Sequence, residues 1–506
     1  MDNRVVVKVN RNLATVDRDQ ENAIQYLNHA TRYTYTTTKL DVAESRRTRK
    51  NKYITTTHEG WHYSYSDDGS KFIIPRGLVD MLPNEMFRVD DESEYIIKIP
   101  ELNYELVRWC LDEFELRPDQ IEAVCEALIN KRGILQIATG AGKSVIITAI
   151  TKLLIKENPD IRILIIAPFT NIINQLNDYM RNEGISDKNV TICTSMSGKV
   201  TNTDNLIQYN ALIIDEVQHA GASSYFDVGI GCINAEYAIG LSAKVVDDSR
   251  INETKLSRFT HQEARAIGIT GRVLVLKTPG DCIDEGILAT PVLMTLDFTH
   301  ASNLAEELDW RKVVNQGIMN HERLALFAIA ASVLSSYDRR VLILVLEKRQ
   351  GYDIAEWIGK IDSSIKVGVS YGGNKGHYYH HNEWSNHAGY DVLQDFKNGD
   401  FNILIGSTSM DEGADIHNLD ACIIAGGGKN PRRLIQKVGR ALRVSKTGKY
   451  AYVIDCEDKG SCVLQSQFRK RLMVYSSDIG ITGNRICRSI PIALFEAKFK
   501  SYEGLN

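Results

Sequence analysis

Apolar and polar positions follow two different rhythms along this chain. Through the first hundred residues the short apolar runs are strand-like. Residues 5–9 (VVVKV) and 13–16 (LATV) predict short strands, 19–33 a helix, and the Thr/Tyr-rich run from Tyr33 more strand. Residues 72–78 (FIIPRGL) predict a strand breaking into a turn and a short helix to Leu82, and the acidic segment 90–94 (DDESE) reads as a linker, placing a domain boundary near residue 100.

From Leu116 onward the rhythm becomes strand, helix, strand, helix. Residues 134–138, 162–167, 190–194, 211–215 and 237–241 are β-rich runs separated by helical stretches such as 144–155 and 171–180. That alternation predicts a parallel sheet with helices on both faces and ligands at the carboxyl ends of its strands. After a connecting segment at 295–315 it begins again, with strands at 340–346, 365–370, 401–407, 421–425 and 449–455 and helices including 322–335 and 431–442. Two α/β lobes in tandem leave a cleft between them.

Composition narrows the class without naming a function. A chain of 506 residues has a length prior of roughly three domains. With 43% hydrophobic and 25% charged residues it fits a soluble globular protein, and no window reaches the ~18 consecutive apolar residues of a membrane span. The start MDNRVVVK has no apolar core of signal-peptide length, so the expected location is the cytoplasm. Nine cysteines without a C-x-x-C pair read as reduced, structural thiols. The net charge of -4 excludes a uniformly basic nucleic-acid binder but not a local basic surface.

Two stretches carry candidate chemistry. In 134–144 (ILQIATGAGKS) an apolar strand breaks into a glycine-rich turn ending in Lys143-Ser144. Gly140 and Gly142 let backbone N–H groups approach an anion, and Thr139 and Ala141 complete the turn. The following helix points its positive end at that anion, Lys143 reaches β- and γ-phosphates, and Ser144 holds Mg²⁺. Ile137 stands where the full phosphate-loop pattern has glycine, and an ordinary strand-to-helix turn is the alternative. Residues 215–219 (DEVQH) end the apolar strand 211–214, bringing Asp215 and Glu216 to the same sheet edge. There Asp215 serves the metal and Glu216 the attacking water, the division of labour nucleotide hydrolysis requires.

These stretches belong to a longer ordered series that resembles the superfamily two helicases and translocases. LRPDQ at 116–120 looks like their adenine-reading motif, carried by Arg117 and Gln120. APFT at 167–170, which holds Pro168 and Thr170, with Gln175 behind it, resembles the motif that grips the nucleic-acid backbone. GLSA at 240–243 resembles the small-hydroxyl motif that couples the lobes. Ser407-Thr408 through Glu412, Gly413 and Asp415, and then QKVGRALR at 436–443, match the remaining two. The spacing of the last puts Gln436, Arg440 and Arg443 on neighbouring faces of one helix. In the family the two arginines cross the cleft to the γ-phosphate, a contact worth about 10³ to 10⁵ in turnover.

The resemblance covers about residues 116–455. It implies an α/β chain of two tandem RecA-like parallel-sheet lobes, at 101–298 and 299–506, preceded by a small α+β domain at 1–100, with ATP and Mg²⁺ as cofactors. It also implies that ATP is fully liganded only when the cleft closes. Thr170 on one lobe and Thr408 on the other would then step along a nucleic-acid strand.

Lys244 stands where Thr is common, and DEVQH departs from the D-E-A-D of many RNA helicases. DEGILATP at 284–291 and YAYVID at 450–455 are more similar to the DNA-directed branch of XPB, RecG-like remodellers and restriction-enzyme translocases. The IPRGL turn at 74–78 is most similar to UvsW-type phage branch-migration helicases, for which the location would be the host-cell cytoplasm.

Three further features remain. Residues 46–52 hold five cations in seven positions (Arg46, Arg47, Arg49, Lys50, Lys52), followed by Tyr53, His58, Trp61, Tyr63 and Tyr65. Cations beside aromatics suit a nucleic-acid surface, and a solvated loop between strands suits the composition equally. His377, His380, His381 and His387 share one loop with no cysteine or carboxylate pair to complete a zinc spacing, and are read as touching DNA or solvent. Arg469-Lys-Arg471 offers phosphate contacts or a solvated helix face.

The expected function is an ATP-dependent helicase or translocase on branched DNA, working as a monomer. An RNA helicase and a non-hydrolysing DNA-binding scaffold are the alternatives.

Overall fold

A computed structural model describes residues 5–9, 11, 13–17, 25–27, 32–41, 52–61, 64–65, 70–91, 116–371, 375–407, 419–426, 438–439, 450–477 and 479–504, with backbone alone at 32–41, 52–61 and 64–65. The chain divides into two units. One holds the residues up to Ile137 together with Gly142–Leu276, the other Ala138–Ala141 and everything from Lys277.

The first unit opens with strands β1 (Val5–Val9), β2 (Leu13–Asp17), β3 (Arg32–Asp41), β4 (Lys52–Trp61), β5 (Ser64–Tyr65), β6 (Lys71–Pro75) and β7 (Phe87–Asp91). Five of them form a sheet in the order β5-β6-β2-β1-β7, antiparallel except for the β1–β7 pair. Val5, Val7 and Val9 are buried while Lys8 is exposed, the period-two pattern of a half-buried strand. Asp90 and Asp91 lie in β7 opposite Lys8 and Val9, so the acidic linker expected at 90–94 begins inside a strand. Of the helix expected over 19–33, residues 25–27 are helical and Arg32 already belongs to β3. Strands β3 and β4 form a separate ribbon, ten residues long on each side, with Arg32 opposite Trp61 and Asp41 opposite Lys52.

The second sheet of this unit holds β8 (Arg132–Ile137), β9 (Ile163–Ile166), β10 (Val190–Cys193), β11 (Ala211–Asp215), β12 (Tyr237–Ser242) and β13 (Val273–Lys277), in the order β10-β9-β11-β12-β8-β13. Strands β8 to β12 pair in parallel. In β9, β11 and β12 every residue is buried, which is why they read as unbroken apolar runs.

The two sheets of this unit share one core. Phe72, Ile74 and Leu78 pack in a common cluster with Ile134, Ile267 and Ile269. The short turn Arg76–Met81 lies on helix His261–Thr270 so closely that a Cβ on Gly77 would meet the Ile267 carbonyl oxygen at 1.9 Å. Arg272 donates to the Asp80 carbonyl at 2.7 Å, and Arg132 to the Arg11 carbonyl at 3.0 Å.

The second unit is built on nine strands: β14 (Thr290–Thr299), β15 (Val341–Val345), β16 (Val367–Ser370), β17 (Gly376–His380), β18 (Glu383–His387), β19 (Ile403–Ser407), β20 (Ala421–Ile424), β21 (Tyr450–Lys459) and β22 (Ile486–Ile490). Their order is β18-β17-β16-β19-β15-β20-β21-β14-β22, parallel except at the β17–β18 hairpin and its pairing with β16. Because β14 runs beside β21 through ten residue pairs, the division falls at Leu276 and not after residue 298, and 295–299 are strand where a connection was expected. The histidines expected in a loop instead line this hairpin, whose turn residues His381 and Asn382 have φ of 50° and 63°, as a tight hairpin requires.

Among the described residues no helix is long and apolar enough to cross a membrane, and no disulfide joins two described cysteines.

Candidate nucleotide site

The phosphate-binding turn takes the backbone its glycines permit. Gly140 and Gly142 have φ of 89° and 93°, where a side chain would be strained. Gly142 has a second constraint, since a Cβ there would lie 2.4 Å from Gln120 Nε2. The turn closes through Ala141 N–H to the Ala138 carbonyl at 3.2 Å, and Ala138 N–H donates to the Lys277 carbonyl at 2.9 Å. Helix Lys143–Glu157 begins without a side-chain cap, leaving its first N–H groups to an anion. The Thr139 hydroxyl is buried with no hydrogen-bond partner among the described residues.

Gln120 is buried behind this turn on helix Pro118–Asn130, its Oε1 accepting the Arg117 N–H at 3.1 Å. The Arg117 guanidinium forks onto Asp119 with both bonds at 3.0 Å. Arg117, Gln120 and Gly142 therefore meet in one place.

Asp215 and Glu216 emerge at the carboxyl end of β11, with Asp215 buried. Asp215 Oδ1 accepts the Glu216 N–H at 3.0 Å, and no protein donor among the described residues reaches Oδ2. Burial, reinforced by the neighbouring Glu216 charge and opposed by Lys143, pushes the Asp215 carboxyl up to about 7. Glu216 is left-handed, with φ 52° and ψ 51°. For a non-glycine residue this stores about 1–3 kcal/mol of strain, tolerated where surrounding contacts enforce it. The enforcing contacts are visible. Gln218 Nε2 donates to Glu216 Oε2 at 2.6 Å, and Ser242 Oγ donates to Gln218 Oε1 at 2.5 Å. Lys143 Nζ stands 3.7 Å from Glu216 Oε1. Lysine, catalytic-type acid and the small-hydroxyl stretch 240–243 thus form one connected group.

Oxygen-only donors suit Mg²⁺, and Asp215 at the end of β11 and Ser144 in the first turn of helix Lys143–Glu157 are oxygen donors of that kind. The residues fit the cation that the phosphate loop implies.

On the nucleic-acid side, Pro168 is half-buried and Thr170 exposed at the first position of helix Thr170–Asn182. Lys52 and Trp61 stand at opposite ends of β4. Arg46, Arg47, Arg49, Lys50, Thr408, Gly413, Asp415, Gln436, Arg440 and Arg443 lie outside the described residues. Among the described residues no histidine, cysteine or carboxylate cluster has the makings of a metal centre. His377 instead bonds Asn386 at 2.8 Å and His380 the Ser364 carbonyl at 3.1 Å. Arg471 is a correction: it is buried and forks onto Asp455 at 2.7 and 2.9 Å, so it reaches no phosphate.

Sequence reasoning missed Gln136 and the role of Gln218. Buried Gln136 accepts the Val245 and Val246 N–H groups at 2.8 and 3.1 Å, tying β8 to the segment after Ser242. A polar residue inside an otherwise apolar strand was the available signal.

Residues 113–208 match the family described as type III restriction enzyme, res subunit, and residues 326–445 match the helicase conserved C-terminal domain. Across these two segments the chain is similar to the superfamily two helicases. It is 22% identical over 415 residues to the DNA 3'-5' translocase XPB2 of Sulfurisphaera tokodaii, covering 74% of this chain and 88% of that protein. Among solved structures, the ATP-dependent type ISP restriction-modification enzyme LlaBIII bound to DNA aligns with a TM-score of 0.52 at 15% identity, over 77% of this chain and 32% of the other. T4 UvsW aligns over 97% of this chain and 100% of its own at 16% identity, with a TM-score of 0.41. The two large sheets of this chain are RecA-like α/β lobes.

Proposed function

We propose that this chain is an ATP-dependent DNA translocase that unwinds or remodels branched DNA, driving branch migration at forks and Holliday-type junctions in replication, recombination or repair. The observation that carries the ATPase part is the pinned carboxylate: Glu216, in a strained backbone, held by Gln218 and facing Lys143. A general base works when geometry fixes it before the substrate arrives.

In this reading the N–H groups at the start of helix Lys143–Glu157 and the Lys143 ammonium bind the phosphates, and Thr139 to Ser144 wrap them. Arg117 and Gln120 read the base. Ser144 and Asp215 hold Mg²⁺, which supplies charge neutralisation at the phosphate oxygens. Glu216 takes the proton of the attacking water. Gly413, Asp415, Gln436, Arg440 and Arg443 complete the site from the second lobe, the arginines facing the γ-phosphate. Pro168, Thr170 and Thr408 grip the strand, and Arg46, Arg47, Arg49, Lys50, Lys52 and Trp61 recognise the branch. The protein works as a monomer in the cytoplasm.

The DNA preference is supported by the translocase relative and by DEVQH in place of D-E-A-D. The test is ATP hydrolysis on single-stranded DNA, duplex, fork, four-way junction and RNA. Strongest stimulation by fork or junction is expected, and strongest stimulation by RNA overturns the DNA assignment.

A further inference from the structure

Strand β8 carries one polar side chain among its buried residues 133–137, that of Gln136, just ahead of the phosphate-binding turn. Pairing with β12 sets it opposite Ser242. β12 ends at that serine, so the N–H groups of buried Val245 and Val246 lie beyond the strand ladder and need another acceptor. The Gln136 amide supplies it. Its Oε1 accepts the Val245 N–H at 2.8 Å and the Val246 N–H at 3.1 Å. Its Nε2 donates to the Val246 carbonyl at 3.0 Å and to Asp248 Oδ1 at 3.1 Å. Both lone pairs and both protons of the amide are thus engaged by one bend of chain. Leucine would fill the same space and remove all of these bonds.

The bend also reaches the acidic pair. Lys244 N–H donates to Ser242 Oγ at 3.2 Å, and that hydroxyl donates its proton to Gln218 Oε1 at 2.5 Å. Gln218 Nε2 then donates to Glu216 Oε2 at 2.6 Å. The last member fixes the direction of this chain of bonds. An ionised carboxylate only accepts, so Gln218 turns Nε2 toward Glu216 and Oε1 toward the serine. Ser242 is fully buried, held on one side by the β8 pairing and on the other by the bend. Gln136 therefore stands at one end of a connected set of hydrogen bonds whose other end is Glu216, and each bond in such a set supports the next.

We infer that Gln136 is a positioning residue of the hydrolytic site: its amide clamps the bend 243–246, and the bend, acting through Ser242 and Gln218, sets the Glu216 carboxylate. The inference rests on reading Glu216 as the base of an ATPase. Gln136 touches neither nucleotide nor attacking water. It supports the group that does, and it ties that group to the strand that ends in the phosphate-binding turn.

Gln136→Leu, Ser242→Ala and the two together, each in the full chain, test this as a double-mutant cycle. Each single variant should slow single-turnover phosphate release about tenfold, roughly the worth of one charge-assisted hydrogen bond, with nucleotide affinity kept within about twofold. The double variant should match the slower single within about twofold, because both changes cut the same chain of bonds. Independent effects multiply to about a hundredfold, and that product overturns the inference, as does a wild-type rate in Gln136→Leu. With folded enzyme in saturating excess over ATP, the rate constant does not depend on how much of the chain is folded, so a merely structural role leaves it unchanged. Where Gln136→Leu does not fold, Gln136→Asn takes its place, polar but too short to reach the bend. The same slowing is expected of it, and a wild-type rate again overturns the inference. A wild-type chain that binds nucleotide but releases no phosphate, or full hydrolysis by Glu216→Gln, overturns the reading of the site instead, so the two failures are distinguishable.

Discussion

Glu216 is a residue whose backbone and side chain are fixed by different neighbours, and both matter to its chemistry. Its left-handed φ of 52° aims the carboxylate, while Gln218 holds one carboxylate oxygen at 2.6 Å and Lys143 stands 3.7 Å from the other. Glu216→Gln keeps the volume and removes the base. Turnover should fall by about 10² to 10⁴ with nucleotide affinity retained, read by single-turnover phosphate release beside equilibrium binding. Full hydrolysis by this variant would sink the assignment of Glu216 as base. Gln218→Ala removes one of the bonds that hold the Glu216 carboxylate, and with it the acceptor of the Ser242 hydroxyl. Here kcat should drop about tenfold, roughly the worth of one charge-assisted hydrogen bond, while KM for ATP stays put. A raised KM with unchanged kcat would instead make Gln218 a binding residue. The phosphate loop and acidic pair were legible because their chemistry is local: short spacing puts the groups at one strand end. The left-handed Glu216 was not, since an acid after a strand carries no signal for the sign of φ. Nor was the Ser242–Gln218 bond, which joins residues 24 positions apart.

Elements were legible where burial was complete. The all-buried β9, β11 and β12 were found within a residue or two, whereas β18, exposed at every position and built of Glu, Trp, Ser, Asn and His, has no alternation to read. Packing between elements was hidden altogether. Nothing in the first hundred residues announces that the Arg76–Met81 turn seats on helix His261–Thr270. With the Ile267 carbonyl 1.9 Å from where its Cβ would be, Gly77→Ala forces backbone apart. It should destabilise the first unit by about 1–3 kcal/mol in urea melts; an unchanged midpoint would mean the seat yields.

In the second unit, buried Asp458 joins β21 to helix His321–Ser336, accepting Arg323 at 2.6 and 3.1 Å and bonding His300 at 2.9 Å. Burial alone would raise this carboxyl, but Arg323 and the His300 bond outweigh it and hold it well below the ordinary carboxylate range. A depressed folded pKa contributes stability that is present above the unfolded value of about 3.9 and lost as pH falls below it. Asp458→Asn leaves Arg323 uncompensated and should cost about 3–5 kcal/mol at neutral pH. The variant should also lose part of the acid sensitivity of unfolding below about pH 4. An acid limb identical to that of the wild type would locate the sensitivity elsewhere.

At the scale of the whole molecule, the shared core of the first unit changes how branch recognition is tested. Deleting residues 1–100 strips the cover from Ile267 and Ile269, so weaker DNA binding by that variant would report damage to the first lobe as much as loss of a contact. Charge variants avoid the problem. Arg46, Arg47, Arg49 and Lys50 fall between β3 and β4, a ribbon whose ten-residue strands span about 34 Å at ~3.4 Å per residue. The ribbon belongs to neither larger sheet, so changing these four side chains leaves both sheets' pairing untouched. Replacing all four by alanine removes up to four phosphate contacts. At ~0.9 released counterions per contact on duplex, the salt dependence of binding should flatten by about 3 to 4 in log–log slope. If the segment recognises a junction, affinity for forks and four-way junctions should fall far more than affinity for single strands. DNA-free ATP hydrolysis should be unchanged, because phosphate loop and acidic pair lie on the other sheet of that unit. Equal loss on both kinds of DNA would reduce the segment to a general anchor, and no loss on either would remove it from the DNA path.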